Sequence, residues 1–83
     1  MLGGSTVFAD VEYGDNRVRL LVTLEASGLW EVQAIDVLRR TITWKQASLA
    51  TKDVARSKAR DWVLETFGVD ELQWRRGAAS STA

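Results

Sequence analysis

The sequence predicts an α+β domain of two layers, in which an antiparallel β-meander of three to four strands is covered on one face by one amphipathic helix. Two observations carry this prediction. Apolar and polar residues alternate through much of residues 6–46, as they do in half-buried strands. From residue 50 onward, apolar residues recur at helical spacing instead. Near Trp74 the sequence predicts either a short C-terminal edge strand or a simple extended segment.

The first two strands lie on either side of the turn cluster Gly14-Asp15-Asn16. Residues 6–13 and 17–25 alternate so that one face of each strand is apolar. The inward residues are Val7, Ala9, Val11 and Tyr13 in the first strand, and Val18, Leu20, Val22 and Leu24 in the second. A two-residue loop at Asp15-Asn16 predicts that Tyr13 pairs with Val18 and that Glu12 opposes Arg19.

The third strand follows Ala26-Ser27-Gly28, which has the form of a three-residue hairpin loop with glycine at its left-handed position. This loop predicts the pairs Leu24–Trp30, Val22–Val32 and Leu20–Ala34. Alternation breaks after Ala34, which indicates either a bulge near Ala34-Ile35 or an apolar row on the outer face. Residues 41–46 form the predicted fourth strand, with Ile42 and Trp44 on one side.

The helix has both of its ends marked in the sequence. Thr51 is a favourable N-cap, Asp53 faces the positive end of the helix dipole, and Gly68 suits a left-handed C-cap. Between these ends, an apolar stripe is predicted to cover the sheet. Its members are Val54, Ala55, Ala59, Trp62, Val63 and Thr66, with Phe67 at its edge.

Size and composition limit the kinds of function that the chain can have. We expect one domain over residues 6–76, a flexible lead-in at 1–5 and a disordered tail at 77–83. The 83 residues include no Cys and no His, and the acidic residues show no metal-binding or acid–base spacing, so we expect no enzyme, cofactor or metal site. No membrane-spanning run or signal peptide is visible, which predicts a soluble, cytoplasmic protein without a membrane partner.

The leading functional hypothesis is a small non-enzymatic module that binds itself or an unknown protein. Phe8, Leu21 and Ile35 are outward apolar residues on three adjacent strands, and together they form a stripe on the sheet face opposite the helix. Trp30 and Trp62 are predicted to be core residues. Trp44 and Trp74 are candidates for either the core or an interface, and of these two we predict Trp74 to be an interface residue. Since the core is small, a homodimer interface would help to stabilise it.

The alternative hypothesis is nucleic-acid binding through basic residues on the same open face. Its candidate residues are Arg17, Arg19, Arg39 and Arg40. The formal net charge of zero argues against the strong overall basicity that dominates non-specific nucleic-acid affinity. Acidic residues on the same outer surface would also weaken a positive field. These residues are Asp10, Glu12, Glu25 and Glu31.

The helix opens with the pattern T-x-x-x-A-x-x-x-A, formed by Thr51, Ala55 and Ala59. A sheet meander followed by such a helix resembles the layout of HicB-like antitoxin domains and of plant GCC-box-binding domains, over roughly residues 17–67. In the plant domains the sheet contacts DNA with Arg and Trp side chains, so the resemblance implies a DNA contact by the four arginines named above. The likeness is one of layout, and it assigns the chain to no family.

Overall fold

The structure, a computed structural model, describes residues 6–76 and confirms the α+β fold of two layers. Its elements are β1 (Val7–Tyr13), β2 (Asn16–Leu24), β3 (Trp30–Asp36), β4 (Thr41–Leu49), α1 (Lys52–Phe67) and β5 (Arg75–Arg76). The five strands form one antiparallel sheet in the order β4-β3-β2-β1-β5, and α1 packs on one of its faces. The lead-in at 1–5 and the tail at 77–83 lie outside the described residues.

The pairing of β1 with β2 differs by two residues from the predicted register. Tyr13 pairs with Asn16, so the two-residue loop is Gly14-Asp15 rather than Asp15-Asn16. Gly14 has a φ of 60°, and a glycine with positive φ at the first loop position is the requirement of a type II′ hairpin turn. Because a shift of two residues keeps each side chain on its own face, the predicted core residues of both strands still point inward.

The β2–β3 hairpin has the predicted register, with Leu24 opposite Trp30. The Gly28 amide donates to the Glu25 carbonyl at 3.0 Å, and the Glu25 amide donates to the Leu29 carbonyl at 2.7 Å. Gly28 has a φ of 93°, as expected for the left-handed last position of a three-residue loop. The loop chemistry of residues 26–28 therefore determines the register of the two strands.

The pairing of β3 with β4 contains the irregularity that the broken alternation predicts. Ala34 pairs with Trp44 and Ile35 pairs with Ile42, which leaves Thr43 as an extra residue on β4. The prediction that Ile42 and Trp44 share a side is therefore wrong: Trp44 faces α1, whereas Ile42 stands beside Ile35 on the opposite face. A second irregularity lies near the end of β4, where Ser48 has a φ of 61°.

The core lies between α1 and the inner sheet face. From the helix, Ala55, Ala59 and Val63 are fully buried at a spacing of four residues, and they pack on a floor of small and branched strand residues. The strand residues of this floor with less than 2% exposure are Ala9, Leu20, Val22, Val32 and Ala34. The helix stripe is narrower than predicted, because Val54 and Thr66 are exposed.

Both predicted helix caps are present. The Thr51 hydroxyl accepts a hydrogen bond from the Val54 amide at 3.1 Å, and Gly68 adopts a φ of 74° while its amide donates to the Leu64 carbonyl at 2.9 Å. These contacts satisfy backbone groups that the helix ends would otherwise leave unpaired. The chain then turns back along the helix layer toward β5, which pairs with Val7 and Phe8 of β1.

Candidate interaction surface on the open sheet face

The sheet face opposite α1, which we call the open face, carries the predicted apolar residues as direct cross-strand neighbours. Phe8 pairs with Leu21, and Ile35 stands between Arg19 on β2 and Ile42 on β4. Leu21 and Ile35 are diagonal neighbours on adjacent strands. The resulting apolar band crosses four strands and consists of Phe8, Leu21, Ile35 and Ile42.

The apolar band is exposed to different degrees along its length. Phe8, Leu21 and Ile35 are half-buried by neighbouring side chains on the same face, whereas Ile42 is 55% exposed. Ile42 is the member that the sequence pattern missed, because strict alternation places it on the same side of the strand as Trp44. Thr43, whose hydroxyl donates to the Ala34 carbonyl at 3.2 Å, is the extra residue that reverses this alternation.

An ion pair between Asp10 and Arg19 borders the apolar band on one side. The Arg19 Nε and Nη2 atoms donate to the two carboxylate oxygens of Asp10 at 2.8 and 3.1 Å. The hydrogen bond to Asp10 raises the pKa of Arg19, and burial opposes this effect. The Arg19 guanidinium also lies 4.6 Å from the Phe8 ring centroid, which is a cation–π contact.

A second charged group borders the apolar band on its other side. Lys45 Nζ lies 3.3 Å from Glu31 Oε2, and the Gln33 amide donates to the same oxygen at 2.7 Å. The hydrogen bond from Gln33, with a smaller effect from Lys45, lowers the pKa of Glu31 despite its partial burial. Gln33 and Lys45 pair directly across β3 and β4, in the same row as Phe8 and Leu21.

The four arginines of the nucleic-acid hypothesis occupy two separate places. Arg17 and Arg19 are on the open face, where Arg17 contacts Glu12 at 2.6 Å and Arg19 contacts Asp10. Arg39 and Arg40 belong to the β3–β4 turn, beyond the end of the sheet. Three of the four guanidinium groups therefore stand next to a carboxylate, since Arg39 also pairs with Asp36 at 2.9 Å.

Asp36 organises that turn. It is buried, and its carboxylate accepts from the Leu38 and Arg39 amides at 3.1 Å each and from Arg39 Nη1. The backbone hydrogen bond from Arg39 and the Arg39 side chain lower the pKa of Asp36. Arg40 then adopts a φ of 58°, and its amide donates to the Asp36 carbonyl at 2.6 Å. The carboxylate thus acts as a cap for the turn.

Trp74 lies on the other side of the sheet from the other predicted interface residues. It packs with Leu72 against the core and lines a groove between α1 and the chain that follows the helix. Its neighbour Arg75 pairs with Phe8 and thus has the open-face position in this part of the chain. The structure therefore brings Phe8, Leu21 and Ile35 together and separates Trp74 from them.

The groove beside Trp74 has a volume of about 680 Å³. Its helix wall carries Arg56 and Arg60, of which Arg56 pairs with Asp53 and Arg60 Nε donates to the Asp70 carbonyl at 3.2 Å. The Arg60 hydrogen bond attaches the segment after the helix to α1. Of the charged side chains that line the groove, Arg56 and Asp53 form an ion pair.

Within residues 6–76, no three acidic side chains are grouped so that they could hold a metal ion. The same part of the chain contains no helix of the length and apolarity needed to cross a membrane. Comparison of the whole chain with models of known protein families, with curated proteins and with solved structures gives no match. Function is therefore inferred from the geometry and charge of the open face.

Proposed function

We propose that the protein is a small non-enzymatic module that self-associates through the open face of its sheet. The observation that carries this proposal is the continuous apolar band of Phe8, Leu21, Ile35 and Ile42, which crosses four strands on the face that the helix leaves uncovered. An antiparallel sheet with one solvated face ordinarily alternates apolar-in and polar-out, so a continuous outward apolar band is typical of a contact surface.

The charges on the open face favour a second copy of the chain as the occupant. Both signs are present in adjacent pairs, Asp10 with Arg19 and Glu31 with Lys45, so the face has no strong field of one sign. Two identical faces of this kind can meet without net repulsion. The same pairing reduces the positive potential that a phosphate backbone needs, which supports a protein partner over a nucleic acid.

The size of the face indicates a dimer of modest affinity. Four strands spaced about 4.8 Å apart and about 20 Å long give a flat area of roughly 400 Å² per copy. Stable specific interfaces bury about 800 Å² per partner, so this contact is about half that size and belongs with weak, transient interfaces. We therefore expect association in the micromolar range, with monomers at high dilution.

Light scattering across a concentration series from about 1 µM to about 1 mM tests the proposal, because this range brackets modest affinities. The mean mass should rise from that of the monomer toward that of the dimer. Leu21→Ser and Phe8→Ser should each move the midpoint to higher concentration. The matched control is Leu64→Ser, which changes an apolar side chain that is 48% exposed on the helix and should leave the midpoint unchanged.

A mass that stays monomeric over the whole range would remove the proposal. A midpoint that moves as much for Leu64→Ser as for Leu21→Ser would place the contact on the helix layer instead. Titration of the protein with mixed DNA at low salt tests the nucleic-acid hypothesis. Binding through phosphate contacts should weaken steeply as the salt concentration rises.

A further inference from the structure

On the basis of the proposed self-association, we infer that the twofold axis of the dimer runs along the diagonal joining Leu21 to Ile35, and that Asp10 of each copy faces Lys45 of the other. The arrangement of side chains on the open face leads to this axis. Two rows cross β1 to β4 in order, one formed by Phe8, Leu21, Gln33 and Lys45 and the other by Asp10, Arg19, Ile35 and Ile42.

The apolar and polar residues occupy opposite corners of this two-row grid. In the first row the apolar residues are on β1 and β2, whereas in the second row they are on β3 and β4. The polar residues fill the remaining corners, with Asp10 and Arg19 on one side of the apolar band and Gln33 and Lys45 on the other. The charges on the two sides are therefore complementary, because one corner ends in a carboxylate and the other in an ammonium group.

Three directions for a twofold axis in the plane of the interface can be compared. An axis parallel to the strands places β1 over β4 of the second copy, so that Phe8 meets Lys45 and Asp10 meets Ile42. An axis perpendicular to the strands exchanges the rows, so that Leu21 meets Arg19 and Ile35 meets Gln33. Both bury charged or polar groups against apolar ones, which costs free energy.

An axis along the Leu21–Ile35 diagonal avoids these mismatches at the four central positions of the grid, and it carries Phe8 and Ile42 past the two rows of the second copy. Leu21 and Ile35 then lie on the axis and meet their own counterparts, as residues on the axis of an isologous interface do. Asp10 falls next to Lys45 of the second copy, and Arg19 falls next to Gln33. The contact between Asp10 and Lys45 joins the ion pairs inside each copy into one row of alternating charges across the interface. Its order is Arg19, Asp10, Lys45 and Glu31.

A charge exchange between positions 10 and 45 tests the inference. Asp10→Lys and Lys45→Asp should each weaken the dimer by roughly threefold to tenfold, since an attractive exposed pair becomes repulsive. The double variant should recover part of the lost affinity, because the contact between the copies is attractive again although the ion pairs to Arg19 and Glu31 inside each copy stay broken. The matched control combines Glu12→Lys with Lys45→Asp. It makes the same change of charge at a neighbouring position of β1 and should not restore the dimer.

Single cysteines give a second measurement that does not depend on changing these charges, and the chain has no cysteine of its own. Leu21→Cys and Ile35→Cys lie on the inferred axis, so a short bismaleimide crosslinker should join two copies of either variant. Arg17→Cys lies on the same face but away from the axis and should crosslink poorly.

The results distinguish this inference from the proposed function. A protein that dimerises, loses the dimer on Leu21→Ser and yet shows no restoration by the charge exchange would overturn the axis while keeping the surface. Equal crosslinking at positions 17, 21 and 35 would overturn it as well. A monomer at every concentration would overturn both the axis and the self-association.

Discussion

Trp44 and Trp62 stack with their ring centroids 5.3 Å apart and their planes at 10°, which joins the edge strand β4 to the helix. Phe67 packs edge-on against Trp62 at 5.5 Å, and Tyr13 lies 5.3 Å from Phe67. Two of the four tryptophans thus attach the two layers to each other.

Stacked indoles should give an exciton couplet in the far-ultraviolet circular dichroism spectrum. We expect Trp44→Leu to abolish this couplet, because only one chromophore of the stacked pair then remains. Trp30→Leu is the matched control, since Trp30 contacts Lys52 rather than another indole and its loss should preserve the couplet. A couplet that persists in Trp44→Leu would contradict the stacked arrangement.

Trp62→Ala should lower the free energy of unfolding by about 3 kcal/mol, the lower end of the range for removing a large aromatic residue from a core. The lower end applies because Trp62 is half-buried. Leu64→Ala on the exposed side of the same helix should cost less than about 1 kcal/mol. Urea denaturation measures both, and equal losses for the two variants would mean that α1 does not pack through the Trp62 side.

Asp10, rather than Glu12, is the cross-strand partner of Arg19, and this pairing is a direct consequence of the Gly14-Asp15 turn. A double-mutant cycle between Asp10 and Arg19 should give a coupling energy of about 0.5 kcal/mol, typical of an exposed ion pair. The same cycle between Glu12 and Arg19 should give a much smaller value. A larger coupling to Glu12 would restore the register in which these two residues face each other.

Asp36 should make stability depend on pH in the acidic range. Its pKa is lowered in the folded protein by the Arg39 amide and guanidinium, so its contribution is present above the ordinary carboxyl pKa and is lost as pH falls through the lowered value. We expect Asp36→Asn to lower the melting temperature at neutral pH, and we expect this deficit to shrink as the pH falls below about 4. Asp61→Asn on the exposed side of α1 should change the neutral melting temperature little.

A melting temperature of Asp36→Asn that equals the original at neutral pH would mean that the carboxylate does not cap the β3–β4 turn. The lowered pKa of Glu31 acts in the same direction. Part of the acid-induced loss of stability should therefore remain in Asp36→Asn. A variant that carries both Asp36→Asn and Glu31→Gln should lose less stability in acid than Asp36→Asn does.

Local chemistry explains which parts of the fold are predictable from the sequence. Thr51, Gly28 and Gly68 each require a specific backbone geometry, so the helix ends and the β2–β3 register follow from residue type. The turn Gly14-Asp15-Asn16 contains more than one candidate loop, and the predicted choice was wrong because it did not place glycine at the position that needs positive φ.

The residues of the open face are only partly predictable from the alternation of apolar and polar residues. Phe8, Leu21 and Ile35 follow from alternation alone and do lie together. Ile42 joins them only because Thr43 is an extra residue in β4, and a bulge can be suspected from a broken pattern but not assigned to one strand. The position of Trp74 depends on the path of the chain after Gly68. This path is set by tertiary contacts, and residues 69–74 show no periodic pattern that predicts it.

The most direct test of self-association through the open face is a dilution series followed by methyl NMR. The methyl resonances of Leu21, Ile35 and Ile42 should shift with protein concentration, because these side chains pass from water into the interface. Those of Leu64, which is 48% exposed on α1, should stay constant. Concentration-independent spectra, or shifts confined to Leu64 and its neighbours on α1, would contradict the account.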